Sequence, residues 1–251
     1  TAHGEFPRVV LAPGSPEQCV MLTNKAFELT EKYQVPVFVL LDQYLGDSEW
    51  TYEGFKTEAI TYKDHRIRGK EARKIKDYKR YALTDSGVSP LLVPGDGHTH
   101  LVIADSDEHD EDGHLIEDAP TRISMVEKRL HKKLPALKAE MSPPIRYGAD
   151  SADTVLVGWG STYGALKETV DKLNTMGENA CMLLFNEIYP LPEGSSYMGT
   201  LGRAAKTVCV ESNATGQFAT YFRGETGFNF SQRINRYDGR PLTVGYIMER
   251  I

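Results

Sequence analysis

The chain has 251 residues, of which 40% are hydrophobic and 25% charged, and a formal net charge of −6 at pH 7. These values fit a globular protein of one large or two modest domains and argue against collagen-like, disordered and nucleic-acid-binding classes. No apolar run approaches the ~20 residues needed to cross a bilayer, and no secretory pattern opens the chain. The expectation is a cytoplasmic protein with no membrane and no nucleic-acid partner.

The opening segment, Thr1-Ala2-His3-Gly4-Glu5-Phe6, lacks a methionine. It leads into an apolar run within a few residues, which reads as a fragment or processed product of something longer. Residues 8–12 predict a short buried strand. Pro13-Gly14 turns the chain, and Ser15-Pro16-Glu17-Gln18 opens a helix: Ser15 caps, Pro16 suits the first helical position, and Gln18 completes a capping box. The helix is expected to run to about Tyr33. The continuous apolar run at 35–41 then predicts a strand covered on both sides, as in parallel sheets. This β-α-β unit is too small to be a domain and reads as the last piece of an α/β sheet.

Residues 44 to about 150 have weak periodicity, dense charge and frequent Pro, Gly and Asp, and read as a long crossover between domains. Within it the spacing predicts a helix over 120–133, with Ile123, Val126 and Leu130 on its apolar face. The stretch from Lys56 to Arg80 is mostly basic and that from Asp105 to Asp118 mostly acidic. Such runs make solvated faces that neutralise each other or docking surfaces for charged partners. From Asp153 strands and helices alternate. Strands are expected at 154–158, 180–185, 207–211 and 234–237. Helices are expected from Gly160 to about Met176, near 197–202 and at 215–224, with Thr243 capping a last one. That rhythm predicts an open, mostly parallel sheet with helices on both faces.

Local motifs carry little chemistry by themselves. Gly158-Trp159-Gly160-Ser161 lies between strand and helix, where phosphate-binding loops occur. Its spacing departs from the dinucleotide fingerprint, and a tight βα turn is the alternative. Glu108-His109-Asp110-Glu111-Asp112-Gly113-His114 and His98-Thr99-His100 hold metal-ligand residue types without a preformed geometry, so no metal residue is assigned. Glu5 and Asp42 stand near strand ends as carboxylates of either catalytic or capping kind. Cys19, Cys181 and Cys209 form no CxxC pair and read as buried free thiols. Iron–sulfur clusters are usually held by four thiolates, so any cluster belongs to another chain.

Several segments, in order along nearly the whole chain, resemble the α subunit of 2-oxoacid:ferredoxin oxidoreductases, particularly the 2-oxoglutarate type. They are His3-Gly4-Glu5-Phe6-Pro7-Arg8, Leu11-Ala12-Pro13-Gly14-Ser15-Pro16-Glu17, Arg80-Tyr81, and Thr84-Asp85-Ser86-Gly87-Val88-Ser89-Pro90. They continue through Glu108-His109-Asp110-Glu111, Met125-Val126-Glu127-Lys128-Arg129 and Glu211-Ser212-Asn213-Ala214-Thr215-Gly216-Gln217 to Tyr237-Asp238-Gly239-Arg240-Pro241. The family commonly reads Ser-Pro-Arg where this chain has Ser89-Pro90-Leu91, so a contact made by that arginine is lost or moved.

The resemblance implies an α/β fold in three parts. Residues 1–50 would end a thiamine-diphosphate pyrimidine-type domain, 51–150 would form a charged connecting region, and 151–251 a transketolase C-terminal-like, mostly parallel sheet domain. It implies CoA-dependent oxidative decarboxylation of a 2-oxoacid to an acyl-CoA with reduction of ferredoxin, or the reverse carboxylation. Thiamine diphosphate and Mg would lie at the interface with a β subunit that also carries the iron–sulfur cluster, CoA would be co-substrate, and ferredoxin the acceptor. The family's cofactor-facing glutamate and substrate motif precede His3, which leaves His3 and Glu5 as the residues nearest the site. The alternatives are an E1β-like subunit of a 2-oxoacid dehydrogenase and a non-catalytic oligomerisation module.

Overall fold

The computed structural model describes residues 4–55 and 57–251. β1 (Val9–Leu11) leads into α1 (Pro16–Tyr33), which returns the chain to β2 (Val37–Val39). At the start of α1 the Gln18 amide donates to Ser15 Oγ at 3.3 Å, as a capping box requires. The Gln18 side chain reaches one residue further back than expected and accepts from the Gly14 amide at 2.6 Å. Two short helices come next, α2 (Gln43–Asp47) and α3 (Gly69–Lys74). Then α4 (Ala119–Glu127), a π turn (Lys128–Lys133) and α5 (Leu134–Ala139) run on as one helix, opened by Asp118, whose carboxylate accepts from the Thr121 amide at 2.9 Å. The remainder is β3 (Ile145–Gly148), β4 (Thr154–Trp159), α6 (Tyr163–Thr175), β5 (Ala180–Phe185), β6 (Glu187–Tyr189), α7 (Met198–Arg203), β7 (Lys206–Glu211), α8 (Gln217–Thr226), β8 (Gln232–Asn235) and α9 (Val244–Met248).

The described residues form two compact units, and the division falls inside α1 between Thr23 and Asn24. One unit takes residues 9–23, 38–59 apart from 56, and 141–251. Its main sheet has the order β3-β5-β4-β7-β8, with β4, β5, β7 and β8 parallel and β3 antiparallel at one edge. Successive side chains of a strand point to opposite faces, and both faces of this sheet are covered. Val155, Val157, Cys181, Leu183, Phe185 and Cys209 pack against Leu201 of α7 and Phe218 and Phe222 of α8. Leu156, Met182, Leu184, Val208 and Val210 pack against Leu166, Val170 and Leu173 of α6 and Ile247 of α9. The predicted parallel sheet is therefore present. What the sequence pattern missed is short: β3, at an edge just after Pro143-Pro144, and the three residues of β6.

A second, three-stranded sheet has the order β2-β1-β6, with β6 antiparallel to β1. β1 is fully buried at Val9 and Leu11. β2 corrects the expectation of a strand covered on both sides: Phe38 is 49% exposed and Leu41, just beyond it, 57%. It is the edge of its sheet, so its apolar residues have protein on fewer sides than the sequence pattern implies.

The other unit takes residues 4–8, 24–37 and 60–140. Its regular element is the long helix, whose inward stripe is Met125, Lys128, Lys133 and Leu137, whereas Ile123 is exposed. The expected stripe is out of phase before the π turn begins: Ile123 precedes it, and Val126 and Leu130 are half-buried at the edge of the inward face. From Lys128 onward the phase shifts again. A π turn takes more residues than an α turn, so the inward face passes from Lys128 to Lys133, five positions on, instead of three or four. At the other end of the unit, Glu140 accepts from Lys32 at 2.5 Å and from the Tyr33 hydroxyl at 2.8 Å.

Candidate functional site

His3 lies outside the described residues. Glu5 is exposed and lines a cleft of about 500 Å3 together with Phe6, Glu108, His109, Arg122 and Arg129. The structure thus brings a candidate carboxylate to the acidic loop that the sequence treated separately. Glu108 is held by a two-pronged pair with Arg129, at 2.9 and 2.6 Å, with Arg122 at 3.7 Å. Burial raises its carboxyl pKa, but the Arg129 hydrogen bonds and charge outweigh burial and leave it below the usual range. The His109 ring stacks on Tyr81 with centroids 3.5 Å apart and planes at 20°. Burial lowers the His109 pKa despite the pull of Glu108, so the imidazole is neutral near pH 7. Its Nδ1 is buried without a hydrogen-bond partner among the described residues.

The rest of the acidic loop is tied up by backbone donors. Asp110 Oδ1 accepts from the amides of Asp112, Gly113 and His114, each at 2.9 Å. Glu111 accepts from the Leu83 amide at 2.8 Å and from Lys79 at 3.3 Å. Both carboxyls are lowered by these bonds. Among the described residues, no three His, Cys, Asp or Glu side chains converge as metal ligands.

Behind the loop lies a buried basic cluster that residue patterns did not reveal. Lys128 is 4% exposed and donates to Tyr81 O at 2.6 Å and Ser89 Oγ at 3.2 Å. Lys133 is 8% exposed. Desolvation, together with repulsion from neighbouring cations, pushes both pKa values down to about 8. The Arg80 guanidinium lies 4.7 Å from the Tyr81 ring centroid and donates to Gln34 at 2.6 Å. The one sequence signal was the Met125–Arg129 run, noted for its resemblance to the family and lying within the predicted helix over 120–133.

In the sheet unit, a cleft of about 770 Å3 lies outside the carboxyl ends of the parallel strands, lined by Asp42, Ser161, Ser212, Arg236 and Arg240 among others. Ser161 comes after β4 and Ser212 after β7, neighbouring strands whose connections leave in opposite directions, the usual ligand position in open α/β sheets. Here protein carboxylates occupy the anion positions. Glu211, 1% exposed, accepts from the Phe218 and Ala219 amides at 2.8 and 3.0 Å, filling the N-terminus of α8. It also accepts from Asn213 at 2.8 Å and from Trp159 Nε1 at 3.2 Å. Asp42 caps α2 through the Leu45 amide at 2.9 Å and accepts from the Ser161 hydroxyl. A Cβ on Gly158 would meet Leu166 Cδ1 and Thr162 Oγ1 at 2.5 Å. Close packing therefore demands that glycine, and the loop is a tight βα turn. Cys181 and Cys209 are buried free thiols, and Cys19 is a partly buried one.

The described residues thus form an interleaved α/β chain with one mostly parallel sheet, and an acidic, arginine-bordered cleft lines the segment that leads to β1. Residues 1–128 match the profile described as pyruvate flavodoxin/ferredoxin oxidoreductase, thiamine diP-binding, and the chain belongs to that family. The α subunit of 2-oxoacid:ferredoxin oxidoreductase 1 from Aeropyrum pernix is 32% identical over 257 residues, covering 100% of this chain and 39% of that one. The 2-oxoacid:ferredoxin oxidoreductase α subunit from Saccharolobus solfataricus is 30% identical, covering 99% and 39%. Among solved structures, the 2-oxoglutarate:ferredoxin oxidoreductase from Magnetococcus marinus with 2-oxoglutarate, coenzyme A and succinyl-CoA bound superposes with a TM-score of 0.87. It has 29% identity and covers 99% of this chain and 42% of that one. The chain therefore spans about two fifths of the length of these relatives, and the resemblance carried by the motifs is borne out.

Proposed function

We propose that this chain is part of the α subunit of a thiamine-diphosphate-dependent 2-oxoacid:ferredoxin oxidoreductase. The reaction is CoA-dependent oxidative decarboxylation of a 2-oxoacid, 2-oxoglutarate in the first instance, with reduction of ferredoxin, or the reverse carboxylation. The observation that carries this reading is the likeness over 99% of the chain, at a TM-score of 0.87, to a 2-oxoglutarate:ferredoxin oxidoreductase. On this reading residues 1–50 end the pyrimidine-type domain, 51–150 connect, and 151–251 form a transketolase C-terminal-like domain. The last assignment draws support from the sheet order β3-β5-β4-β7-β8 with its single antiparallel edge. No helix among the described residues is long and apolar enough to cross a membrane. We take the complex to be cytoplasmic.

The residues described do not by themselves make a thiamine diphosphate site. No metal-ligand group converges among them, and the N-terminus of α8 is filled by Glu211. The reading therefore assigns the diphosphate, its Mg and the iron–sulfur cluster to a β subunit, with CoA as co-substrate. Bound thiamine diphosphate would supply the electron sink for decarboxylation. This chain would contribute the segment holding His3 and Glu5 and the cleft beside it, where a neutral His109 and the Arg129-locked Glu108 keep the walls fixed. Glu5 is accordingly a near-site carboxylate, and His3 would steer the substrate carboxylate or shuttle a proton.

The test is CoA-dependent reduction of ferredoxin, or of a viologen, by the assembled complex with 2-oxoglutarate. Glu5→Gln should lower kcat by more than about tenfold with intact assembly and cluster content. A complex that passes its acyl group to a lipoyl protein and leaves ferredoxin oxidised would overturn the reading.

A further inference from the structure

We propose that the cleft at the carboxyl ends of the parallel strands binds a nucleoside phosphate, with the phosphate on Arg240 and the ribose on Asp47. At about 770 Å3 this cleft has the size of a small-molecule site, and it stands at the switch point of the sheet. Its lining comes from three neighbouring strands and from α2. Across the sheet, Ser161 follows β4, Ser212 follows β7, and the loop from Arg236 to Arg240 follows β8. Helix α2, which brings Asp42 and Asp47, is joined to the β4 side by the bond between Asp42 and the Ser161 hydroxyl. On the β8 side Asp238 fixes the loop, accepting from Arg236 Nε at 2.9 Å and from the Arg240 amide at 3.1 Å. Arg236 is thereby neutralised, and its guanidinium lies 4.6 Å from the Tyr246 ring centroid.

Arg240 is different. Its guanidinium is exposed and makes no hydrogen bond or ion pair among the described residues, so it is the cation of the cleft left to take a ligand's charge. The exposed Ser212 hydroxyl is likewise uncommitted among them. At α2, Asp42 is engaged by the Leu45 amide and Ser161. Asp47 accepts from Gln43 at 3.0 Å through Oδ2 and keeps Oδ1 for a further donor. These groups select the ligand class. A free guanidinium and hydroxyl suit a phosphate, and a free carboxylate oxygen suits the hydroxyls of a ribose. The Tyr237 ring, 71% exposed, offers a face on which a base can stack. A plain anion would leave Asp47 unanswered and a plain cation would meet Arg240, whereas a nucleoside phosphate answers both. Glu211 already fills the N-terminus of α8, so the phosphate rests on side chains, and one free cation limits the ligand to a mono- or diphosphate. The inference goes beyond the catalytic reading and does not depend on it, since none of these groups has a part in that reaction.

The experiment is photoaffinity labelling of the assembled complex with 8-azido-ADP, followed by digestion and mass spectrometry. Label should appear on the peptides holding residues 42–48 and 236–242. Excess ADP should remove it there, and excess adenosine, which lacks the phosphate, should not. CoA is itself an adenosine phosphate, so label on other peptides reports its site and is not counted. Arg240→Met and Asp47→Ala should each raise the ADP concentration needed for protection at least about tenfold, the loss of one hydrogen bond to a charged group. Both side chains are exposed, so the variants should keep the fold. Absence of label on the cleft peptides, label that ADP does not displace, protection by adenosine equal to that by ADP, or protection unchanged within about twofold in Arg240→Met overturns the proposal. The readout involves no turnover, so a complex inactive on every 2-oxoacid leaves it standing, and an active complex without label at the cleft does not rescue it.

Discussion

Glu211 and Lys133 are opposite solutions to the same problem of a buried charge. Glu211 is surrounded by donors: two helix amides, an indole N–H and an asparagine amide within 3.2 Å. Glu211→Gln keeps the shape but turns an NH2 group toward N–H donors. Bonds to a charged acceptor contribute about 1.5–3 kcal/mol each, so the variant should lose about 2–4 kcal/mol in urea titration with an unchanged m-value. A loss below about 0.5 kcal/mol would show that the carboxylate does not hold α8 in place. The same charge, after burial, keeps the Cys209 thiol protonated by raising its pKa.

Lys133 has the reverse sign. Its folded pKa of about 8 lies below the ordinary 10.5. Between those values the unfolded chain binds a proton that the folded chain does not, so stability rises with pH across the window and is lowest, and flat, below it. The wild type should gain on Lys133→Met by about 1 kcal/mol per pH unit from about pH 8 upward, with Lys133→Met the more stable near pH 7. Parallel curves for the two proteins would contradict the assigned burial.

At the scale of elements, the π turn has the widest consequences. Gly87, at φ +72°, lays its backbone against it: a Cβ there would meet Lys128 O at 2.6 Å and Lys133 N at 2.7 Å. Gly87→Ala combines a left-handed backbone with a clash against main chain that cannot swing away. It should cost about 2–3 kcal/mol and open the amides around Lys133 to hydrogen exchange. The sequence announces the helix here but not its inward face: before the π turn that face runs through Met125 and Lys128, and a lysine carries no apolar signal, while after it the turn shifts the phase of every later position.

Where elements are regular, the sequence was sufficient. The strands from Thr154 to Glu211 and the helices between them lie where their patterns put them, since a twice-covered strand admits few polar residues. β8 ends two residues before its predicted end, because Tyr237 extends the apolar pattern yet is exposed. The cleft was half legible. Glu5 and the acidic loop could each be singled out, but their meeting depends on an irregular fold, and neither the Tyr81–His109 stack nor the Lys128 and Lys133 burial leaves a spacing signal.

For the molecule as a whole, the proposed assignment of the diphosphate and Mg to a β subunit gives a direct expectation. The isolated 251-residue chain should bind thiamine diphosphate no tighter than millimolar by calorimetry, and micromolar binding would force a site into this chain. The interleaved units matter for any attempt to dissect it. Asn186 donates to Ala12 O at 3.1 Å across 174 positions, and β6 supplies the antiparallel partner of β1. Removing the residues after 150 therefore strips β1 of a neighbour, and a loss of activity in such a truncation would reflect a damaged first sheet as much as a missing domain.

That lacing has an evolutionary reading. A gene cut between residues 150 and 151 would hand one descendant a strand without its mate and the other a strand with nothing to pair. Recombination can exchange this module only by carrying the stretch around β1 and the stretch around β6 together, so the two should be inherited as a single block however freely the rest of the subunit is shuffled.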